Sequence, residues 1–396
     1  MSTVECVQPE ALKTMLPTLE GITQASFNND GERNKALLAA YALINRLESP
    51  WETVCRLAMT QPALGASLKV VKDLKLFETW HQQGDIAMTH KELAKLVTCN
   101  ELLLQRLVRH LAANNMLEEV SPGRFTQTAF TLALLQPVFG EWINYMYDAT
   151  IPCFHKMPEY LAETGYLNPT DPENGVFQYT KGSTGNLFDY YNARPQEGDS
   201  FNHVMGGVMA HQASWLSIYP HETLVQSASE GSPILVDVGG NVGHDLERFR
   251  LKHPEIAERL VLQDRPDVIA LSKCPNPVQK MSHDFFTPQP VKGARAYYLH
   301  GVLHDWSDEH ARKILEMLKP AMKPGYSKLL VHEHVLPESR PHPQATAYDL
   351  TMMVKVAALE RSETMWRELL ASCGFNVMKI WTSSLMTQSI IEAELA

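Results

Sequence analysis

Nowhere in these 396 residues do eighteen apolar residues follow one another, and the chain does not open on a basic start with an apolar run. A membrane-spanning helix and a secretory leader are therefore both disfavoured. Cysteine is scarce: Cys6, Cys55, Cys99, Cys153, Cys274 and Cys373 are scattered with no CxxC or CxxH spacing. That excludes an evident zinc site or disulfide framework and suits reduced thiols in a cytoplasmic protein. Positive charge is short as well, with Lys+Arg 35 against Asp+Glu 45 and a net charge of −10. An acidic surface repels nucleic-acid backbones and anionic bilayers alike, so neither is an expected partner. With hydrophobic residues at 44%, Gly 21 and Pro 24, what remains is globular material long enough for two or three domains.

Residues 1 to about 30 are polar and weakly patterned, which predicts a loose or partner-docked arm. Apolar residues then recur at helical spacing (Leu37, Leu38, Tyr41, Ile44, Leu47, Val54, Leu57, Leu64, Leu68, Val71), predicting several packed helices. Asp85 to Phe130 reads as a winged helix. Thr89 and Glu92 form a capping box, Asn100 can cap a second helix with Leu104, Leu107, Val108 and Leu111 on one face, and a small hairpin turns at Pro122-Gly123. Arg106, Arg109 and His110 are balanced by Glu118 and Glu119, so a structural or dimer-forming module is expected rather than a DNA reader. A helical, aromatic-rich stretch follows to about 225, with Asn168 to Gly185 expected to be a loop. From Ser232 the pattern becomes strand, turn, helix: Ile234–Val238, Leu260–Gln263, Ala296–Leu299 and Lys328–His332 predict an open α/β sheet with parallel crossovers.

The first of these strands runs into Gly239-Gly240-Asn241-Val242-Gly243 and then a helix. Such a turn lets a backbone approach a ligand and offers free N–H groups, and by itself it serves nicotinamide and flavin cofactors equally well. Two acids sharpen it. Asp237, inside the strand, is unwelcome to a pyrophosphate and favours a cation. Asp264 ends the next strand, where an acid takes two ribose hydroxyls. Asp284 with Phe285 suits the edge and face of a purine, and His304 lies between a strand end and a helix that Ser307 is expected to cap.

VDVGGNVGHDL, LQDRPDVI, HDFFTPQPVKGARAYYL, LHDWSDEHARKIL, LLVHEHVLPE and ALERSETMWRELLASCGF follow in this order. Together they resemble the class I S-adenosylmethionine-dependent O-methyltransferases of the caffeic acid type, their fungal branch in particular. The resemblance implies a Rossmann-like, seven-stranded sheet with an N-terminal, mainly helical winged-helix dimerisation domain, and a homodimer. On this reading residues 1–135 dimerise and 136–396 bind the cofactor, with 136–230 as the substrate-pocket segment. His304 is implied as the catalytic base, flanked by Glu333 and Glu360; Gly239, Asp264, Asp284, Phe285 and Trp306 as contacts of S-adenosyl-L-methionine. Asp237, Gly240 and Gly243 belong to the same cofactor turn. His300, where the family usually carries Arg or Lys, and Arg265, where it carries leucine, alter the cofactor edge.

A neutral imidazole can take the proton of a phenol during an in-line methyl displacement, and no metal is required. The expected acceptor is a phenolic or enolic hydroxyl on a small aromatic or polyketide-like secondary metabolite. Phe154, His155, Met205, Trp215, Met352 and Met353 are candidates for its pocket. The alternative is a pericyclase or dehydratase that keeps the cofactor for its sulfonium charge and acts on a polyketide-alkaloid intermediate.

Overall fold

The computed structural model describes residues 9–194, 197–198, 201, 204–205, 207, 214–382 and 388–396. Near the N-terminus, the expected loose arm contains a helix, Pro9–Glu20, and the helix Asp30–Leu47 buries none of its residues. Tyr41, Leu47 and Trp51 are 54%, 74% and 73% exposed. The winged module forms as expected. Thr89 and Asn100 cap the helices His90–Leu96 and Glu101–Ala113 with their side chains. Strands β1 (Met88–Thr89), β2 (Leu117–Ser121) and β3 (Arg124–Gln127) make the small sheet, ordered β1-β3-β2. Its core holds Phe77, Trp80, Leu104, Val108, Leu111 and Phe125, all fully buried.

In the region expected to be a loop, Val176–Lys181 is a helix. Gln178 Oε1 accepts the Gly175 N–H at its start, Gly182 (φ +59°) ends it, and burial of Val176 and Phe177 outweighs the turn-forming residues around them.

The large sheet contains β4 (Leu235–Val238), β5 (Leu260–Asp264), β6 (Gln279–Ser282), β7 (Ala296–His300), β8 (Lys328–Glu333), β11 (Phe375–Thr382) and β12 (Ser389–Leu395). A two-stranded pair, β9 (Val335–Leu336) and β10 (Arg361–Ser362), lies outside it. The order is β11-β12-β8-β7-β4-β5-β6; the five strands β4 to β8 run parallel, and β12 is antiparallel to both its neighbours. Aliphatic runs buried on both faces are what such a parallel centre demands. Alternate residues feed two cores. Val236, Val238, Tyr297, Leu299 and Val331 face one that includes Trp366; Leu235, Leu262, Tyr298 and Leu330 face another that includes Trp215. Strand order reverses at β4, so a crevice opens at the carboxyl ends of β4, β5 and β7.

Candidate active site

The turn after β4 is tied to β5 by Gly239 and Gly240, whose N–H groups donate to the Gln263 carbonyl at 2.9 and 3.1 Å. A side chain at 240 would strike the Asp237 carboxyl, and one at 243 (φ +94°) the sulfur of Cys274, so both positions require glycine. Behind the turn the Asp237 carboxylate is buried, and neither of its oxygens has a hydrogen-bond partner among the described residues. Burial, then the nearby Asp245 and Asp264 carboxylates, push it well above the usual range. Asp237 shares a small pocket with Gly239, Gly240, Asn241, His244, Asp245 and His300.

Asp264 reaches back to the same turn: Oδ2 accepts the Asn241 N–H and Oδ1 the Arg265 N–H, each at 2.8 Å. Burial raises its carboxyl despite these bonds. The Arg265 guanidinium pairs with Asp267 at 2.8 Å. Phe285 and Trp306 meet edge to face with centroids 6.0 Å apart, and Phe188 stacks on Trp306 at 6.2 Å. Asp284 is exposed, its Oδ1 accepting the Phe286 N–H.

His304 sits on the short turn Leu303–Asp305 after β7. The turn is held from two sides. Glu333 Oε1, at the end of β8, accepts the N–H groups of Val302, Leu303 and His304 at 2.9, 2.8 and 3.3 Å. Arg361, fully buried, donates to the carbonyls of Leu303 and Trp306 at 3.0 and 2.8 Å and pairs with Asp308 at 2.9 Å. Glu360 then takes the imidazole itself, with Nδ1 to Oε1 at 2.8 Å, whereas Glu333 Oε2 is 3.8 Å from Nδ1. On the other side, Nε2 has the Asp305 carboxylate at 3.7 Å. Burial alone would push the imidazole down, but Glu333, Glu360 and Asp305 outweigh it and hold His304 well above its ordinary value. The carboxyls diverge: burial raises Glu333 and lifts Asp305 to about 6, while in Glu360 the burial cost is overcome by His304 and the carboxyl is lowered.

Four residues earlier, His300 is buried with both ring nitrogens engaged. Nδ1 lies 2.5 Å from Asp245 Oδ2 and Nε2 3.2 Å from Gln388 Oε1, and the ring stacks on His332 at 3.9 Å. Asp245 stands in the first turn of the helix behind the glycines, so His300 braces the cofactor turn while also lining its pocket.

Of the residues expected at the pocket, Phe154, Met205, Met352 and Met353 come together, partly buried against one cluster that includes Tyr145 and Tyr191. Met353 also lines a cavity of about 390 Å³ beside Glu360, with Asp349, Leu359 and Met365. Three expectations are corrected. Trp215 is fully buried in the core on the other face of the sheet, its indole N–H donating to the Asp245 carbonyl at 3.2 Å; an aromatic that size finds more apolar contact there than beside a cavity. His155 is exposed on the helix Ile151–Glu163 and is not brought to the site, because the buried face of that helix carries Cys153 and Tyr160. Ser307 begins the helix Asp308–Leu318, but its hydroxyl contacts His310 Nδ1 at 3.0 Å and makes no cap bond, which corrects its expected role. Arg361 was missed. The signal for it is an arginine directly after Glu360, at the end of the apolar run Val356–Leu359.

A family model for an O-methyltransferase domain matches residues 166–376, and one for an O-methyltransferase dimerisation domain matches 59–137. The O-methyltransferase mfmE of Annulohypoxylon moriforme is 61% identical over 388 residues, spanning 98% of this chain and 96% of the relative. The O-methyltransferase ATR12 of Stachybotrys chlorohalonatus is 36% identical, spanning 97% and 99%. Among solved structures, LepI complexed with SAM superimposes with a TM-score of 0.85 at 26% identity, covering 98% of both chains. OxaC with SAH and oxaline gives 0.84 at 22%, covering 98% of both.

Proposed function

The chain belongs to the O-methyltransferase family, an S-adenosylmethionine-dependent class, and on that premise we propose that it methylates a phenolic or enolic hydroxyl of a small secondary metabolite, with His304 as general base. One observation carries this reading. The imidazole is fixed at Nδ1 by Glu360 at 2.8 Å, while at Nε2 the Asp305 carboxylate stands 3.7 Å away, beyond hydrogen-bond reach. A base needs that asymmetry, one nitrogen held and one available.

The residues present fit the cofactor. Asp237 offers two unmet buried acceptors to a cationic group, and Asp264 offers carboxylate lone pairs to ribose hydroxyls. Phe285 and Trp306 offer apolar faces to a flat base, and side-chain-free positions such as 240 allow close approach to the turn. When bound, S-adenosylmethionine supplies the transferable methyl group. The protein's own share is to aim the acceptor hydroxyl and receive its proton at His304 Nε2. Glu360 keeps the tautomer and stabilises the imidazolium that forms; Glu333 and Arg361 fix the turn that carries it. Glu333, Glu360 and Asp305 hold His304 well above its ordinary value, and a cationic group held beside this turn would favour the neutral imidazole that a base needs.

The exposed apolar residues of the first helices, Tyr41, Leu47 and Trp51 among them, support a homodimer through the N-terminal region, with the domain boundary near residue 135. The described cysteines are all free, which suits a cytoplasmic setting.

The test is mass spectrometry of the product formed with S-adenosylmethionine and a phenolic or enolic acceptor. A gain of one methylene unit together with S-adenosylhomocysteine is the expected result. An isomer of equal mass would establish instead the second reading, a pericyclase, which similarity to a structure described as a pericyclic reaction enzyme (TM-score 0.87, 25% identity) keeps in view.

A further inference from the structure

Lys355 stands in the last turn of the helix Pro343–Val356 and is 3% exposed. A lysine so buried is normally paired with a carboxylate. Here the ammonium lies over the rings of Phe177, Tyr145 and Tyr191, at 4.5, 5.1 and 5.5 Å from their centroids. Among the described residues its hydrogen bond is to the Tyr191 hydroxyl at 3.2 Å, and that hydroxyl contacts the Tyr145 hydroxyl at 3.4 Å. An ammonium has three donors, so two are left over. The acid that feels it, Glu197, is engaged by the Tyr190 hydroxyl at 3.2 Å. Burial brings the ammonium down to about 7, with Cys153 raising it, Lys181 lowering it and Glu197 raising it.

This cage shares its cluster with the residues expected to line the acceptor pocket, and Met353 of the same helix lines the cavity beside Glu360. Met352, Met353, Phe154 and Met205 pack on the same cluster. Tyr191 stacks on Phe201 at 4.8 Å, Phe201 meets Phe188 at 6.4 Å, and Phe188 stacks on Trp306, two residues from His304. A methionine would fill the volume without the cost of a buried amine. What the amine adds is a donor and a charge that can be switched on by an anionic neighbour.

We propose that Lys355 is a specificity residue that binds a second, acidic oxygen of the methyl acceptor, a carboxylate or the oxygen of an enolate. This rests on the reading of the site as a methyltransferase pocket. The acceptor would then be an acidic phenol or enol rather than a neutral one.

The test uses the full chain saturated with S-adenosylhomocysteine and a panel of hydroxybenzoic acids, each paired with its methyl ester, titrated calorimetrically. Wild type should bind at least one acid about tenfold or more tightly than its ester, the worth of a hydrogen bond to a charged group. At pH 8 that binding should take up a proton, read from the dependence of the heat on buffer ionisation. Lys355→Met, checked for folding by its melting temperature, should lose both the preference and the proton uptake while keeping its affinity for the ester and for S-adenosylhomocysteine. Tyr191→Phe should keep the preference in weakened form. A wild-type panel in which no acid binds more tightly than its ester overturns the proposal whatever the variants do, and so does a Lys355→Met protein that retains the preference. Methyl gain on any member, measured separately with S-adenosylmethionine, reports on the methyltransferase reading alone.

Discussion

His300 and His304 stand four residues apart at the end of the same strand, and their surroundings differ in the one respect that matters for chemistry. His300 has both ring nitrogens engaged, by Asp245 and Gln388, and its face is covered by His332. His304 has one nitrogen fixed by Glu360 at 2.8 Å and the other 3.7 Å from the Asp305 carboxylate, beyond hydrogen-bond reach. The first arrangement suits a brace, because both nitrogens are engaged. The second is what the proposed base requires, one nitrogen held and one not hydrogen-bonded. His304 is also the more exposed of the two, partly buried where His300 is buried, but the count of committed nitrogens is the sharper difference.

The comparison breaks most visibly at His304. His304→Ala should lower turnover by about 10²–10⁴ while leaving cofactor affinity near wild type, measured by steady-state kinetics and calorimetry. Activity lost there should partly return at high pH, as the acceptor hydroxyl ionises unaided. Near-normal turnover at pH 7 would place the base elsewhere.

Glu360→Gln sharpens the point, since glutamine can still accept from Nδ1 but carries no charge. Turnover should fall by about 10²-fold, less than for His304→Ala. The sign of the pH effect is fixed: Glu360 helps hold the His304 value up, so removing its charge lets the imidazole lose its proton at lower pH. The acidic limb of the pH–rate profile should therefore move down even as its height falls. An acidic limb that stays in place would show that Glu360 does not act through His304.

Asp264→Ala tests the cofactor side. It removes a buried acid that also holds the Asn241 N–H, and should weaken binding of S-adenosylmethionine roughly tenfold with a smaller change in turnover at saturation. Unchanged affinity by calorimetry would remove Asp264 from the cofactor site.

The smallest effect on turnover is expected for His300→Gln. It should cost roughly 1–3 kcal/mol of folding stability, because Asp245 loses its best partner, and leave turnover at saturating cofactor nearly unchanged. A loss of turnover as deep as that of His304→Ala would erase the distinction between brace and base.

Much of this is legible in the sequence. The aliphatic runs that became β4, β5, β7 and β8 are buried on both faces, so their pattern is unambiguous, and the glycines of the turn sit where only glycine fits. His304, Glu333 and Glu360 came from the resemblance, and the three do converge. What the sequence hid was the division of labour between the two glutamates, since a carboxylate that grips backbone N–H groups and one that grips a ring nitrogen look identical in one dimension. Trp215 was misplaced for a related reason: aromatics in helices serve core and pocket alike, and only packing decides. Lys355 left no signal because its aromatic neighbours come from the segments 145, 177 and 191, far apart in the chain.

The grip of Glu333 on three successive N–H groups has an evolutionary corollary. The turn that carries His304 is anchored to the sheet, through a side chain at the end of β8, whereas the wall that would face the acceptor is drawn from helices that carry methionines, tyrosines and a lysine. Substitutions in that wall can alter which molecules fit without disturbing the placement of the imidazole. Descendants of such a chain can therefore change diet one helix residue at a time and keep the same chemistry throughout.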